Sequence, residues 1–154
     1  MLTLKIKDTE VEPTYNYRLY KNIAGDDKDK RKENFYSFLD GLFSDDSITI
    51  INFFKAVAGK DLSEDEVVDQ LDENGLFDDV HKTTDEIITG LATSGFLKSE
   101  IKAWKKYGDR LLESMKASLK LKSIKQEDKE MTQIQINQLE ENKKSIESRM
   151  DLIK

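Results

Sequence analysis

The feature that most constrains this chain is a dense run of apolar side chains between residues 33 and 80. In residues 35–43 these side chains recur every three or four positions, which places them on one face of an α-helix. Asp45-Asp46-Ser47 then suits a helix N-cap, and the same spacing returns in residues 50–58. The run therefore predicts packed helices that form the core to which the rest of the chain attaches.

A third helix is predicted directly after this pair. Gly59 ends the preceding helix, and Ser63 is followed three residues later by Glu66. This spacing is typical of a capping box, in which two side chains satisfy free backbone N–H groups reciprocally. The apolar side chains of residues 67–80 carry the buried face onward, so the helical core extends to about residue 80.

The first residues have a different period. Leu2, Leu4 and Ile6 alternate with polar residues, which predicts a half-buried strand. Residues 8–10 offer a turn, and residues 11–17 are predicted to return as a second strand. Pro13 cannot donate a hydrogen bond to a sheet, so the second strand is expected to lie at an edge or to break there.

The C-terminal third is predicted to be helical and strongly charged. Residues 97–119 carry a long apolar stripe opposite a row of lysines, and few apolar residues occur between 120 and 130. The last segment has two heptad positions, occupied by Ile136, Lys143 and Met150 and by Leu139, Ile146 and Ile153. Two interpretations stay open: a self-associating coiled coil, or an isolated amphipathic helix that is partly disordered.

These patterns predict a mostly α (α+β) chain, with an N-terminal β-hairpin, a small helical bundle and a long C-terminal helix or extension. Since 36% of the residues are charged and no aromatic residue follows Tyr107, part of the length is expected to lie outside the packed core. We predict a domain at residues 1–122, with the hairpin at 1–17 and the helical core at 33–122. Residues 123–154 are predicted to form a helical or partly disordered extension.

Charge is distributed unevenly along the chain. Residues 61–86 carry a net charge of −10 and residues 97–122 a net charge of +5, within a total of −6. The favoured interpretation is that each segment is the solvated face of an amphipathic helix, and the alternative is a surface for a charged partner. Because the chain is acidic overall, nucleic acid is not an expected partner.

The residue inventory argues against catalysis. The chain has no cysteine and one histidine, His81, which excludes thiolate chemistry and histidine-rich metal sites. Its many carboxylates follow capping and surface positions, whereas acid–base catalysis needs them in an apolar cleft. No cofactor or metal is expected, and the chain is predicted not to be an enzyme. No apolar run is long enough to cross a membrane, and the N-terminal residues show no basic-then-apolar signal, so an intracellular location is expected.

The order of parts resembles a known family. The segments that carry the resemblance are the opening hairpin from Leu2 to Lys7, which runs into residues 15–20, the helix at 50–57, the restart at 62–67 and the acidic helix at 71–91. The likeness covers roughly residues 1–120, over which the chain is similar to the tail assembly chaperones of long-tailed, siphovirus-like bacteriophages.

This resemblance implies a non-catalytic protein of the host bacterial cytoplasm. Such a protein binds the phage tape measure protein, keeps its apolar helices soluble and recruits tail tube subunits, and it is not expected in the mature virion. The alternative is a structural phage adaptor that self-associates through the C-terminal heptads and is retained in the particle.

A chaperone of this kind needs an exposed apolar groove or stripe. Met and aromatic side chains suit such a surface because they adapt to varied partners. For Trp104, packing against residues 33–80 is the favoured alternative. The candidate partner-binding residues are Trp104, Tyr107, Leu111, Met115, Ile136, Leu139, Ile146 and Met150.

Overall fold

The computed structural model describes residues 2–121 and 123–154. Residues 1 and 122, the outer bounds of the predicted N-terminal domain, lie outside the described residues. The elements in chain order are β1 (Leu4–Ile6), β2 (Thr9–Val11), α1 (Tyr17–Ala24), α2 (Arg31–Phe43), α3 (Ser47–Ala58), α4 (Glu64–Glu73), α5 (Val80–Leu91), α6 (Gly95–Ser118), α7 (Gln126–Arg149) and a terminal 3₁₀ turn (Met150–Ile153). The predicted fold class, a mostly helical chain with an N-terminal hairpin and a long last helix, is confirmed.

The hairpin is antiparallel and shorter than predicted, with Leu4 opposite Val11 and Ile6 opposite Thr9. Its two-residue turn is formed by Lys7 and Asp8, which both have positive φ angles, as the tight turns that suit hairpins require. The second strand predicted at residues 11–17 is therefore wrong, because β2 begins two residues after Lys7 and ends at Val11.

The edge of the hairpin is attached to the helical core. Gln70 of α4 accepts a hydrogen bond from the backbone N–H of Lys5 at 2.5 Å, and its side-chain amide also donates to the carbonyl of Lys5. The Gln70 side chain thus pairs with the backbone of Lys5 in the way that a neighbouring strand would. On the other face of β1, the Leu4 side chain is buried in the core.

Helix boundaries follow the capping residues of the sequence. The capping box of Ser63 and Glu66 is present at α4, and Asp46 caps α3 by accepting from the N–H of Ile48. Gly59 follows α3 with a positive φ angle. The apolar faces that these helices share meet in one cluster whose largest fully buried side chains include Phe35, Leu39, Leu42, Ile50, Phe53, Phe54, Leu71, Ile87, Ile88, Leu91 and Leu97.

Helix α7 folds back along α6 and reaches the core. Lys116 of α6 pairs with Glu140, and Lys105 pairs with Glu147 further along α7, so the two helices are antiparallel. Beyond α7, Ile153 of the terminal turn is buried in the main core cluster. The C-terminal segment is thus helical and is anchored at its far end. The division of the chain at residue 122 stays a prediction.

Candidate functional site

A groove lies between α2, α6 and α7, with a cavity volume of about 470 Å³. Five of the eight candidate partner-binding residues line it, and they come from the two consecutive helices α6 and α7. The five are Trp104, Tyr107, Leu111, Leu139 and Ile146. The fold therefore gathers most of the candidates from α6 and α7 around one concavity, as a site for an apolar partner requires.

Trp104 contributes to the floor of this groove and is largely buried. Its indole N–H donates to the Asp40 carboxylate at 2.9 Å, and its ring packs against Phe43 with 4.8 Å between ring centroids. Burial raises the pKa of Asp40, and the indole hydrogen bond partly offsets that rise. Trp104 is thus held mainly by contacts with α2, in keeping with the packing alternative drawn from the sequence.

The rim of the groove offers exposed apolar surface. Tyr107 is 56% exposed and Leu111 is 41% exposed, and both line the concavity. The ring of Tyr107 also packs against Tyr36 of α2, with 5.6 Å between centroids. On the opposite wall, Leu139 and Ile146 of α7 are half-buried. A partner with an apolar face could bury all four side chains further.

The other three candidates lie outside the groove lining. Met115 is half-buried on α6, one turn beyond Leu111. Ile136 is buried on α7, and Met150 packs in part against the main core. These positions show that the apolar heptad stripe of α7 is largely used within the chain.

Paired charges surround the groove where α6 faces α7. Lys105 contacts Asp109 at 2.6 Å and Glu147 at 3.4 Å, and Lys143 contacts Asp109 at 3.7 Å. Because exposed ion pairs of this kind contribute little free energy, their main effect is to set the register of the two helices. The mouth of the groove is consequently charged but nearly balanced.

Next to the groove lies a buried cation that the sequence analysis missed. Arg149, the last residue of α7, is 4% exposed. Its guanidinium donates to the carboxylates of Asp45 at 2.9 Å and Asp85 at 2.7 Å, and to the hydroxyl of Thr84 at 2.5 Å. It also lies over the ring of Phe43, 5.8 Å from the centroid. Little in the sequence indicates that Arg149 is buried, since it is one arginine among the apolar residues near the end of the chain.

The two carboxylates belong to a network that is built without α7. Asp45 accepts from Thr84 at 2.5 Å, and its second oxygen lies 2.9 Å from the imidazole of His81. Burial pushes the pKa of Asp45 up, but the hydrogen bonds from Thr84 and His81 and the charge of Arg149 outweigh it, so this pKa is lowered. Asp45 also has a φ of 59°, a left-handed conformation that aims its carboxylate at α5.

This arrangement holds the end of α7 against the core. His81 lies between Asp45 and Asp85, a grouping that acid–base catalysis also uses, with 3.4 Å to the latter. The Arg149 guanidinium pairs with both of these carboxylates. Among residues 2–121 and 123–154, no group of acidic, histidine or cysteine side chains could hold a metal ion.

Comparison of the chain with protein-family models, with curated proteins and with solved structures found no match. In the part of the chain that the structure describes, no helix combines the length and the apolar character needed to cross a bilayer.

Proposed function

We propose that this protein is a non-catalytic assembly chaperone that binds an apolar helical segment of another protein in the groove between α2, α6 and α7. The observation that carries the proposal is the pair of exposed side chains on its rim, Tyr107 and Leu111, beside a cavity of about 470 Å³. Exposed aromatic and aliphatic side chains around a concavity are typical of surfaces that bury a partner.

The volume of the groove suits the apolar face of a helix. Amphipathic helices bind such grooves by inserting a few apolar side chains spaced three or four residues apart. A cavity of this volume is in the range of roughly 300–1,000 Å³ that is usual for sites that enclose an organic ligand, so it accommodates several anchoring side chains. Tyr107 and Leu111 are themselves four residues apart on α6, which aligns them along the same direction.

The resemblance of the sequence to phage tail assembly chaperones supplies the identity of the partner. On this proposal the bound segment belongs to the tape measure protein, which would stay soluble until tail tube subunits assemble around it. The protein would act in the host bacterial cytoplasm and leave before the virion is complete. A helical chain with a small N-terminal hairpin is compatible with that role.

Co-expression with the tape measure protein of the same phage tests the proposal. We expect the wild-type chain to keep that protein in the supernatant and Leu111→Asp to lose most of this effect, since the carboxylate would have to be desolvated on binding. Ile48→Asp is the matched control because Ile48 is 60% exposed on α3 and does not line the groove.

Salt provides a second measurement. Apolar contacts dominate the proposed interface, so the complex should survive high salt, whereas an interface built on charge should weaken. A folded wild-type chain that leaves the tape measure protein aggregating under every condition would contradict the chaperone proposal.

A second candidate function is a structural adaptor that self-associates and stays in the particle. The observation that favours it is a set of exposed apolar side chains near the connection between α6 and α7, namely Leu121, Met131 and Ile134. In that case the chain would be found in purified virions in fixed copy number by mass spectrometry. Light scattering should also show an oligomer that Ile134→Asp dissociates.

A further inference from the structure

We infer that α7 and the terminal turn occupy part of the client site within the same chain, and that the client helix carries an arginine which replaces Arg149 between Asp45 and Asp85. The client binds against α2 and α6 when the C-terminal segment undocks, and it replaces α7 as the third side of the groove. This inference rests on the proposed function, and it adds the chemistry of the partner and the step that admits it.

The first argument is that α7 is held at few points. Within its 24 residues, all of which the structure describes, the buried positions are Ile136 and Arg149. The side chain of Lys125, at the N-cap of α7, makes no capping hydrogen bond within the described residues. By contrast, α6 has the same length and four buried side chains, with Ser94 as its cap. A segment that is held mainly at Arg149 and Ile153 can separate from its support once those two contacts are replaced.

The second argument is that the cation pocket belongs to the core. Asp45 is fixed in the connection between α2 and α3, and Asp85 and Thr84 lie on α5. The Thr84 hydroxyl oxygen also lies 3.0 Å from the carbonyl oxygen of His81, one turn earlier, so this part of the pocket is built within α5. Without Arg149, Asp45 and Asp85 would each lose a paired cation, and a second guanidinium would restore both pairs. The pocket is therefore complementary to a guanidinium, whichever chain supplies it.

The third argument is that the pocket and the groove form one surface. Phe43 lines the groove and also lies beneath the guanidinium of Arg149. Along α7, Ile146 lines the groove, and Arg149 enters the pocket three residues later. The C-terminal segment thus shows the spacing that a client helix must match: an apolar anchor followed, one turn later, by an arginine.

Tethering explains why the site is closed in the free chain. A segment attached by a short connection is present at an effective concentration on the order of millimolar, so even weak docking occupies its site most of the time. A client in trans binds the small open fraction, and its apparent affinity is reduced by that fraction. Weakening the docked segment should therefore strengthen binding in trans.

The test uses the full-length protein and a fluorescently labelled peptide of residues 126–154 as the probe, with fluorescence anisotropy as the readout. We expect the Arg149→Gln protein to bind this peptide at least tenfold more tightly than the wild type does. A peptide that itself carries Arg149→Gln should lose that binding. Ile153→Ala loosens the segment while leaving Asp45 and Asp85 in place, and should also increase binding if Arg149→Gln fails to fold.

A reversible lock provides the decisive control. Because the natural chain has no cysteine, Lys116→Cys with Glu140→Cys introduces the sole thiols, at positions whose side chains now pair across α6 and α7. A short, cleavable bis-maleimide linking them should abolish peptide binding, and cleavage should restore it. Equal binding by the locked and cleaved proteins, or no binding to any folded variant, would overturn the inference.

The same variants separate this inference from the proposed function. If the locked protein keeps the tape measure protein soluble as well as the cleaved one does, the chaperone proposal stands and the replacement of Arg149 is wrong. If neither form keeps it soluble although the peptide binds as expected, the groove is an exchangeable helix site and the chaperone proposal is the part that fails.

Discussion

Replacing Arg149 by alanine should destabilise the protein far more than the loss of an exposed charged side chain does. The guanidinium is 4% exposed, and it bridges the connection between α2 and α3, helix α5 and the end of α7. Alanine would leave Asp45 and Asp85 without the guanidinium that now pairs with both. It would also remove the contact that holds the last turn of α7 against Phe43.

The magnitude follows from how far the two carboxylates are buried. Removing one partner of a fully buried ion pair costs about 3–5 kcal/mol, because the remaining charge is left without compensation. Here the side chains of Asp45 and Asp85 are 35% and 34% exposed, so water can solvate part of the carboxylate charge that loses its partner. Loss of the stacking on Phe43 adds about 0.5–1 kcal/mol. We therefore expect a loss near the lower end, about 3 kcal/mol.

Urea unfolding followed by far-ultraviolet circular dichroism measures this loss. Arg149→Lys should recover part of the stability, since an ammonium group cannot pair with both carboxylates as a planar guanidinium does. Arg110→Ala is the matched control, an arginine removed from the exposed surface of α6, and it should cost less than about 0.5 kcal/mol. A loss at position 149 no larger than this control would refute the argument from burial.

The free energy of unfolding, measured as the pH is lowered into the acidic range, provides an independent check of the same network. The folded-state pKa of Asp45 is lowered, so its contribution is fully present above the ordinary aspartate value and is lost as the pH falls through the lowered one. Without Arg149 the pKa of Asp45 should be lowered less. The stability difference between wild type and Arg149→Ala should therefore shrink below the ordinary aspartate pKa, and a constant difference across that window would contradict this account.

Three further predictions concern the core and the groove, each measured by the same unfolding experiment. Phe54→Ala should cost about 3–5 kcal/mol because the ring is fully buried, and a negligible change would show that α3 is not central. Gly90→Ala should cost about 1–3 kcal/mol because the new methyl group would overlap the ring of Tyr15, whereas Ala at the open position Gly108 should not destabilise. Asp40→Asn should change stability at neutral pH by less than about 1 kcal/mol, since the amide oxygen can still accept from Trp104. Because the pKa of Asp40 is raised, the wild type should become more stable relative to Asp40→Asn as the pH falls through that pKa. The opposite trend would contradict this account.

The helices could be predicted from the sequence because the features that determine them are local. The capping box at Ser63, the glycine at position 59 and the three-to-four-residue apolar spacing act over a single turn, and each marks a boundary or a face in the structure. The hairpin was less accessible. Its turn uses Lys7 and Asp8 at positive φ, where glycine or asparagine is the usual signal, so the alternation pattern placed the second strand too late.

The candidate site was predictable in part for the same reason. Tyr107 and Leu111 share one helix face, and that face could be read from the spacing along α6. What joins the end of α7 to the core depends on contacts between positions far apart in sequence. Arg149 lies 104 residues from Asp45, and no local pattern distinguishes it from the exposed basic residues that precede it. A long-range pairing of this kind becomes visible once the chain is folded.

The position of Trp104 has a practical consequence. It is the single tryptophan of the chain, and it lies at the floor of the groove between Phe43 and the carboxylate of Asp40. Its fluorescence therefore reports on the candidate site, and no second indole contributes to the emission. A partner that enters the groove would change the polarity around the ring and shift the emission. A client free of tryptophan could then be titrated against the unmodified protein.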